Sequence, residues 1–381
     1  MIKEVEFPSE GATLRGLLFL PEAQTRRLPL IIMVHGTSAT VTMVADKYAG
    51  VFSHAGLAAL LYDHRNYGRS EGEPRQEINP WIQCRGYLDA VKFAETLDGI
   101  DPERIALWGD SYTGGQIIVV GAIEPRVKVI VAQCPVFGAE PPEVDPNTEN
   151  FDLIKETLLQ GDVPGTLETT IGPMPVVSSD QAGTPSLLKP TRAFRWFIDY
   201  GGRADTHWSN SATRVLPVTP VPFHPMLCAP FVKVPTLLMV APEDEMIHAN
   251  YAVARQAYEL IHGPKQWYDI AGGHFGLLYY PSELFDEASR VQTEFLNFKR
   301  LPILWQTTSA GQIVDILEKI SVRSKMVNEH QSPAIRQQIL EYILSEIDDR
   351  RVDGNINLTW PALLTVGQKP GQKGKDYEPR T

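Results

Sequence analysis

The sequence has few cysteines, no long apolar run and no excess of basic residues. Its 381 residues include three cysteines, Cys84, Cys134 and Cys228, an odd number without the close spacing of a metal site. Buried free thiols are therefore expected rather than a disulfide framework. No stretch reaches the roughly 18 uninterrupted apolar residues of a membrane-spanning helix.

Charge and motif content exclude further classes of partner. There are 35 basic and 46 acidic residues, a net charge of −11, so the overall field would repel nucleic acid and anionic membranes. There is no H-E-x-x-H motif and the histidines lack ligand spacing, so no metal or other cofactor is predicted. The net charge therefore favours a small-molecule substrate. Charges within MIKEVEFPSEGATLRG leave no apolar region for a signal peptide, which favours a cytoplasmic protein.

The first 135 residues alternate between short β-rich runs and helical patterns. This alternation predicts βαβ units, a parallel sheet and an α/β fold. The pattern stops after Pro135 and resumes with PTLLMVAP at 235–242. We therefore predict a core formed by residues 1–137 and 231–302, with residues 138–230 inserted between two of its strands.

The insertion is rich in proline and in aromatic side chains. It is predicted to form a helical cap over the carboxyl ends of the strands, where ligands bind in open α/β sheets. Trp196, Tyr200 and Trp208 in the cap, with Phe275 in the core, are predicted to line a substrate pocket. Packing of the cap against the core is the alternative role for these aromatic residues.

The last part of the chain has a different character. Amphipathic patterns at about 311–321 and 333–350 predict helices, so residues 303–366 are interpreted as a helical appendage. The apolar stripe must be buried against the main domain or against a second subunit, which would give a homodimer. Residues 367–381 have the composition of a flexible tail.

A serine lies between an apolar run and a glycine-rich segment in IALWGDSYTGGQ, residues 105–116. A serine hydroxyl needs a histidine base oriented by a carboxylate to act as a nucleophile. Asp244 follows the predicted strand PTLLMVAP and His274 follows the predicted strand KQWYDIAGG. Ser111, Asp244 and His274 are thus the predicted catalytic residues, with Glu243 and Glu245 as alternative acids.

These segments resemble those of the α/β-hydrolase superfamily. GDSYTGG resembles the nucleophile elbow, VHGTS at 34–38 the oxyanion loop, and YDHRNYGRSEG at 62–72 a turn common in the superfamily. Thr113 departs from the G-x-S-x-G pattern at its last position. Over about residues 5–300 the chain is similar to the dienelactone-hydrolase-like serine hydrolases, a group that includes fungal polyketide transferases and thiohydrolases.

The resemblance implies a mostly parallel, eight-stranded sheet flanked by helices. It also implies roles for residues beyond the triad, with the backbone N–H groups of Thr37 and Tyr112 forming the oxyanion hole. Asp63 and Arg65 are expected to form a salt-bridged turn that supports the oxyanion loop, with a catalytic role as the alternative. Asp110 is expected to pack or form hydrogen bonds at the pocket wall.

Four functions follow from this set of residues. A serine hydrolase acting on a small carboxylic ester or thioester through an acyl-enzyme is the leading hypothesis. An acyltransferase with the same triad, a hydrolase of carbon–carbon bonds next to a ketone, and a non-catalytic receptor for a small molecule are the alternatives.

Overall fold

The computed structural model describes residues 1–22, 27–160, 168–298, 303–307, 351–352 and 355–360. The chain divides into two compact units, Met1–Leu296 and Asn297–Thr381. The candidate functional residues all belong to the first unit. In the described part of the chain, no helix has the length and apolar character needed to cross a membrane.

An eight-stranded sheet forms the centre of the first unit. Its strands lie in the order β1-β2-β4-β3-β6-β7-β10-β11. The pairs β1–β2 and β2–β4 are antiparallel, whereas the remaining pairs are parallel. The strand bounds are Ile2–Ser9 (β1), Ala12–Phe19 (β2), Leu28–Val34 (β3), Ala58–Tyr62 (β4), Ile100–Asp110 (β6), Val127–Gln133 (β7), Thr236–Val240 (β10) and Lys265–Asp269 (β11). The predicted α/β fold is confirmed.

Helices cover both faces of this sheet, which explains why β4 and β10 are buried along their whole length. One face packs against α2 (Pro80–Ala94), α3 (Tyr112–Ile123) and α6 (Tyr251–Leu260). The other packs against α1 (Ala45–His54) and α7 (Glu283–Phe298). Helix α3 is mostly apolar and is buried deeply from Thr113 to Gly121.

Residues inserted between β7 and β10 contain strands as well as helices. The helices are α4 (Thr148–Gln160) and α5 (Thr191–Gly201), and a small sheet joins β5 (Glu77–Ile78), β9 (Ala212–Pro217) and β8 (Glu168–Met174) in that order. The prediction of a purely helical cap missed these strands. Gly172-Pro173 interrupts β8 and the register shifts there, so the sequence shows no two-residue alternation.

The second unit contains a three-stranded antiparallel sheet. It consists of β12 (Ile303–Thr307), β13 (Arg351–Val352) and β14 (Asn355–Trp360), in the order β12-β14-β13. The predicted appendage is therefore not purely helical. The helices predicted at 311–321 and 333–350, and the tail at 367–381, lie outside the described residues. The homodimer and the domain boundaries stay predictions.

Candidate active site

Ser111 occupies a sharp turn between β6 and α3. Its φ is 57° and its ψ is −117°, a strained conformation for a residue with a side chain. The turn brings Gly109 so close to Thr113 that a Cβ at Gly109 would lie 2.5 Å from the Thr113 carbonyl oxygen. The Ser111 N–H donates to the Gln133 carbonyl at 2.8 Å and fixes the turn to the end of β7. Such a turn exposes the serine hydroxyl above the sheet.

Thr113 replaces the last glycine of the elbow pattern, and its hydroxyl forms hydrogen bonds that hold the turn. The Oγ1 atom lies 3.0 Å from the Val34 carbonyl oxygen and 2.9 Å from that of Asp110, and it accepts the Asp110 N–H at 3.0 Å. This hydroxyl therefore links β3 to the turn. The next residues relieve the crowding, since a Cβ at Gly115 would lie 2.3 Å from the Val136 carbonyl oxygen.

The structure brings His274 and Asp244 together with Ser111. The His274 Nε2 atom is 2.8 Å from Ser111 Oγ, and its Nδ1 is 2.7 Å from Asp244 Oδ2. The other Asp244 oxygen accepts the Met246 N–H at 2.8 Å, so a turn holds the carboxylate in place. These distances match a hydroxyl, a base and an orienting acid in series.

Asp244, rather than its neighbours, contacts the imidazole. Glu245 Oε2 accepts the His274 backbone N–H at 2.9 Å, and Glu243 is exposed. Glu245 thus fixes the backbone that carries the ring. Gly273 has a φ of 68°, and a Cβ there would lie 2.2 Å from Glu245 Oε2, which explains the glycine before His274.

Carboxylates control the protonation of His274. Burial lowers its pKa, but the hydrogen bond and charge of Asp244, with the charges of Asp110 and Glu245, outweigh this and raise the pKa above its ordinary value. Asp110 is itself buried, and its Oδ1 accepts from Gln133 Nε2 at 2.8 Å. The site therefore stabilises a protonated imidazole.

A buried chain of side chains, which the sequence analysis missed, holds Asp110. Gln292 accepts from Trp108 Nε1 at 2.8 Å and donates to Gln133 Oε1 at 2.7 Å, and Gln133 in turn donates to Asp110. These glutamines lie on α7 and β7, far apart in sequence. No local pattern could have paired them.

The loop after β3 passes directly beside Ser111. A Cβ at Gly36 would lie 2.7 Å from the Ser111 Cβ, so only glycine fits there. His35 accepts the Gly36 N–H at Nδ1 and its Nε2 is 2.7 Å from the Met43 carbonyl oxygen, while burial lowers its pKa. A neutral His35 thus anchors the loop. Thr37 and Tyr112, the predicted oxyanion residues, line the same cavity as Ser111.

The turn at residues 62–72 supports this loop differently from the prediction. Asp63 accepts the Val41 N–H at 2.9 Å and the Arg69 N–H at 3.0 Å, whereas Arg65 donates to the carbonyls of Glu10 and Glu73. The salt bridge predicted between Asp63 and Arg65 is therefore wrong. Backbone N–H groups, which leave no trace in the sequence, are the partners of the carboxylate.

A cavity of about 700 Å³ opens at Ser111. Trp196 and Phe275 lie in its wall, and their part in binding a substrate stays a prediction. Tyr200 and Trp208 do not belong to its wall, so that part of the prediction is wrong. Tyr200 is buried against Trp196, with ring centroids 5.4 Å apart, and Trp208 packs on Phe197 at 5.5 Å. Both serve the packing role that was the alternative.

One group of side chains in the described residues has the spacing of metal ligands. Ligand atoms of Cys134, Asp244 and His274 lie within 4.8 Å of one another. Asp244 and Ser111 already occupy the two imidazole nitrogens of His274. A metal ion there would have to displace one of those hydrogen bonds, so the group fits a proton-transfer site better than a metal site.

Comparison with known proteins agrees with the fold. The sequence model of the α/β-hydrolase family matches residues 31–287. This chain belongs to the α/β-hydrolase family. The match includes Ser111, Asp244 and His274 but leaves the second unit outside.

Relatives of this α/β hydrolase include fungal proteins that are named as a thiohydrolase and an acyltransferase. Thiohydrolase aneE of Aspergillus aculeatus is 44% identical over 137 residues, which cover 36% of this chain and 42% of that relative. The chain thus spans about two fifths of that relative's length. Acyltransferase drtE of Aspergillus calidoustus is 26% identical over 306 residues, covering 77% of this chain and 94% of the relative. The predicted similarity to fungal thiohydrolases and related transferases is confirmed.

Solved structures support the same architecture. The α/β hydrolase GrgF from Penicillium sp. sh18 has a TM-score of 0.58 and 22% identity, and the match covers 78% of this chain and 98% of that one. At this identity the likeness concerns the fold alone.

Proposed function

We propose that the chain is a serine hydrolase that cleaves a carboxylic ester or thioester of a small organic substrate. The observation that carries the proposal is the chain of hydrogen bonds from Ser111 Oγ through His274 to Asp244, with lengths of 2.8 and 2.7 Å. Relatives named thiohydrolase support the choice of bond.

Acylation begins at the serine hydroxyl. His274 takes the Ser111 proton as the oxygen attacks the acyl carbon, and it then delivers that proton to the leaving alcohol or thiol. Asp244 keeps the proton of the neutral ring on Nδ1, which leaves Nε2 free to accept. It also stabilises the imidazolium, in line with the raised pKa of His274.

Negative charge on the carbonyl oxygen requires donors that are already in position. The backbone N–H groups of Thr37 and Tyr112 are the proposed pair, and loss of one such donor costs about 10²- to 10³-fold in rate. Tyr112 begins the 12-residue helix α3, whose N-terminal dipole favours an anion. Water, activated by His274, then releases the acyl group.

An acyltransferase that uses the same triad is the second candidate. Acyltransferase drtE and polyketide transferase claH each match along 77% of this chain, which favours keeping this alternative. The two activities differ only in whether water or an acceptor alcohol reaches the acyl-enzyme. Adding acceptor alcohols and measuring the ratio of new ester to free acid separates them.

A panel of p-nitrophenyl esters and acyl thioesters tests the proposal, with Ser111→Ala as the matched variant. We expect turnover that Ser111→Ala abolishes and labelling of Ser111 by a fluorophosphonate. Labelling without turnover of the panel would favour the transferase. Failure of folded protein to label would favour a receptor, and turnover of a ketone substrate without an acyl-serine would favour carbon–carbon hydrolysis.

A further inference from the structure

Basic side chains lie on the cap side of the cavity that contains Ser111. Arg214 on β9 and Lys189 before α5 line it, together with His224 and His248. The rest of the wall is mostly apolar, and the protein as a whole carries a net charge of −11. The charge of this part of the cavity wall is therefore opposite in sign to the net charge of the protein.

The carboxylates of the same cavity are already engaged elsewhere. Asp110 accepts from Gln133, and Glu245 accepts the His274 backbone N–H. Neither of these two carboxylates forms a hydrogen bond or ion pair with the side chain of Arg214 or Lys189. Both cations are exposed to the space of the cavity and its mouth.

The Arg214 charge reaches the neighbourhood of the nucleophile. Burial lowers the pKa of His248 and the Arg214 charge lowers it further. For Tyr112, burial raises the pKa to about 12 and the Arg214 charge opposes that rise. Because Arg214 and Ser111 line the same cavity, a substrate bound at Ser111 can extend to the guanidinium.

We propose that Arg214, with Lys189 from the same cavity wall, forms a binding subsite for an anionic group of the substrate, a carboxylate or a phosphate. The apolar wall, which includes Phe137, Leu188 and Phe223, holds the uncharged chain between that group and the reacting carbonyl. A guanidinium binds either anion through paired N–H donors. This inference rests on the proposed function for the identity of the reacting bond.

Two pairs of substrates separate the sources of the anion. Mono-p-nitrophenyl suberate and its methyl ester differ at the far end of the acyl chain, by a carboxylate against a neutral methyl ester. Octanoyl-4′-phosphopantetheine and octanoyl-pantetheine differ by the phosphate group on the leaving group. For each pair, the measured quantity is the ratio of kcat/KM for the anionic substrate to kcat/KM for the neutral one.

We expect one of the two ratios to fall at least about tenfold in Arg214→Gln, as for the loss of a hydrogen bond to a charged group. Arg214→Lys should restore part of the ratio, and added salt should lower it in the native protein. Arg290→Gln removes a cation that pairs with Glu294 on α7, outside the cavity, and should leave both ratios unchanged.

Equal ratios in the native protein and Arg214→Gln for both pairs would overturn the inference. Failure of the native protein to turn over any of the four substrates, anionic or neutral, would count against the proposed function instead. In that case calorimetry of Ser111→Ala with the two pantetheine thioesters and with the two suberates still tests the subsite. If neither anionic ligand binds more tightly than its neutral counterpart, the inference is overturned.

Discussion

Gly36→Ala should disable catalysis while leaving the fold intact. The added Cβ would lie 2.7 Å from the Ser111 Cβ and 2.9 Å from the Asp110 carbonyl oxygen. Carbon atoms in contact prefer about 3.5–4.0 Å, so Ser111 or the loop must move by about 1 Å. A displacement of this size at a reacting atom costs about 10²-fold in rate. That loss corresponds to about 2.7 kcal/mol of transition-state stabilisation.

The assay is kcat for p-nitrophenyl octanoate, measured with the melting temperature of each variant. Gly50→Ala is the matched control, since a Cβ at Gly50 in α1 meets no described atom within 4 Å beyond its own helix backbone. It should keep full activity and gain slightly in stability, because alanine favours a helix more than glycine. A Gly36→Ala protein with kcat within about twofold of the native value would refute the distance argument.

Further predictions concern the groups around the triad. Asp110→Asn removes a charge that raises the pKa of His274. The acid limb of the pH profile of kcat/KM, which lies above about 6.5 in the native protein, should therefore move to lower pH. An acid limb that does not move would contradict this. Asp244→Asn should lower kcat about 10⁴-fold with little change in KM, and a mild effect would assign the acid elsewhere. Gln292→Leu orphans buried groups on Trp108 and Gln133, and urea unfolding should show a loss of about 2 kcal/mol or more. Dialysis against a chelator should leave activity unchanged, whereas a loss restored by zinc would favour a metal site.

Local patterns in the sequence predicted the parts of the molecule that depend on neighbours along the chain. The apolar strands and the glycine-rich turn carry their own signals, so the α/β fold and the position of Ser111 could be predicted. Asp244 and His274 could be selected because parallel strands end at one edge of a sheet. Their mutual distances needed the tertiary structure.

Other features depend on contacts that sequence patterns do not encode. The cap strand β8 is interrupted by Gly172-Pro173 and pairs with a strand about 40 residues later, so no alternation revealed it. Tyr200 and Trp208 are aromatic, as pocket residues often are. The packing of α5 on the core, however, decides which aromatic side chains face the cavity. Backbone partners, such as those of Asp63, are equally invisible in sequence.

Mass spectrometry of the protein quenched during turnover tests the central claim most directly. The account predicts an acyl group on the peptide that contains Ser111, which accumulates with a substrate whose acyl group is transferred to the enzyme faster than water removes it, and which is absent in Ser111→Ala. Steady turnover of an ester with no adduct on Ser111, or with an adduct on another residue, would contradict it.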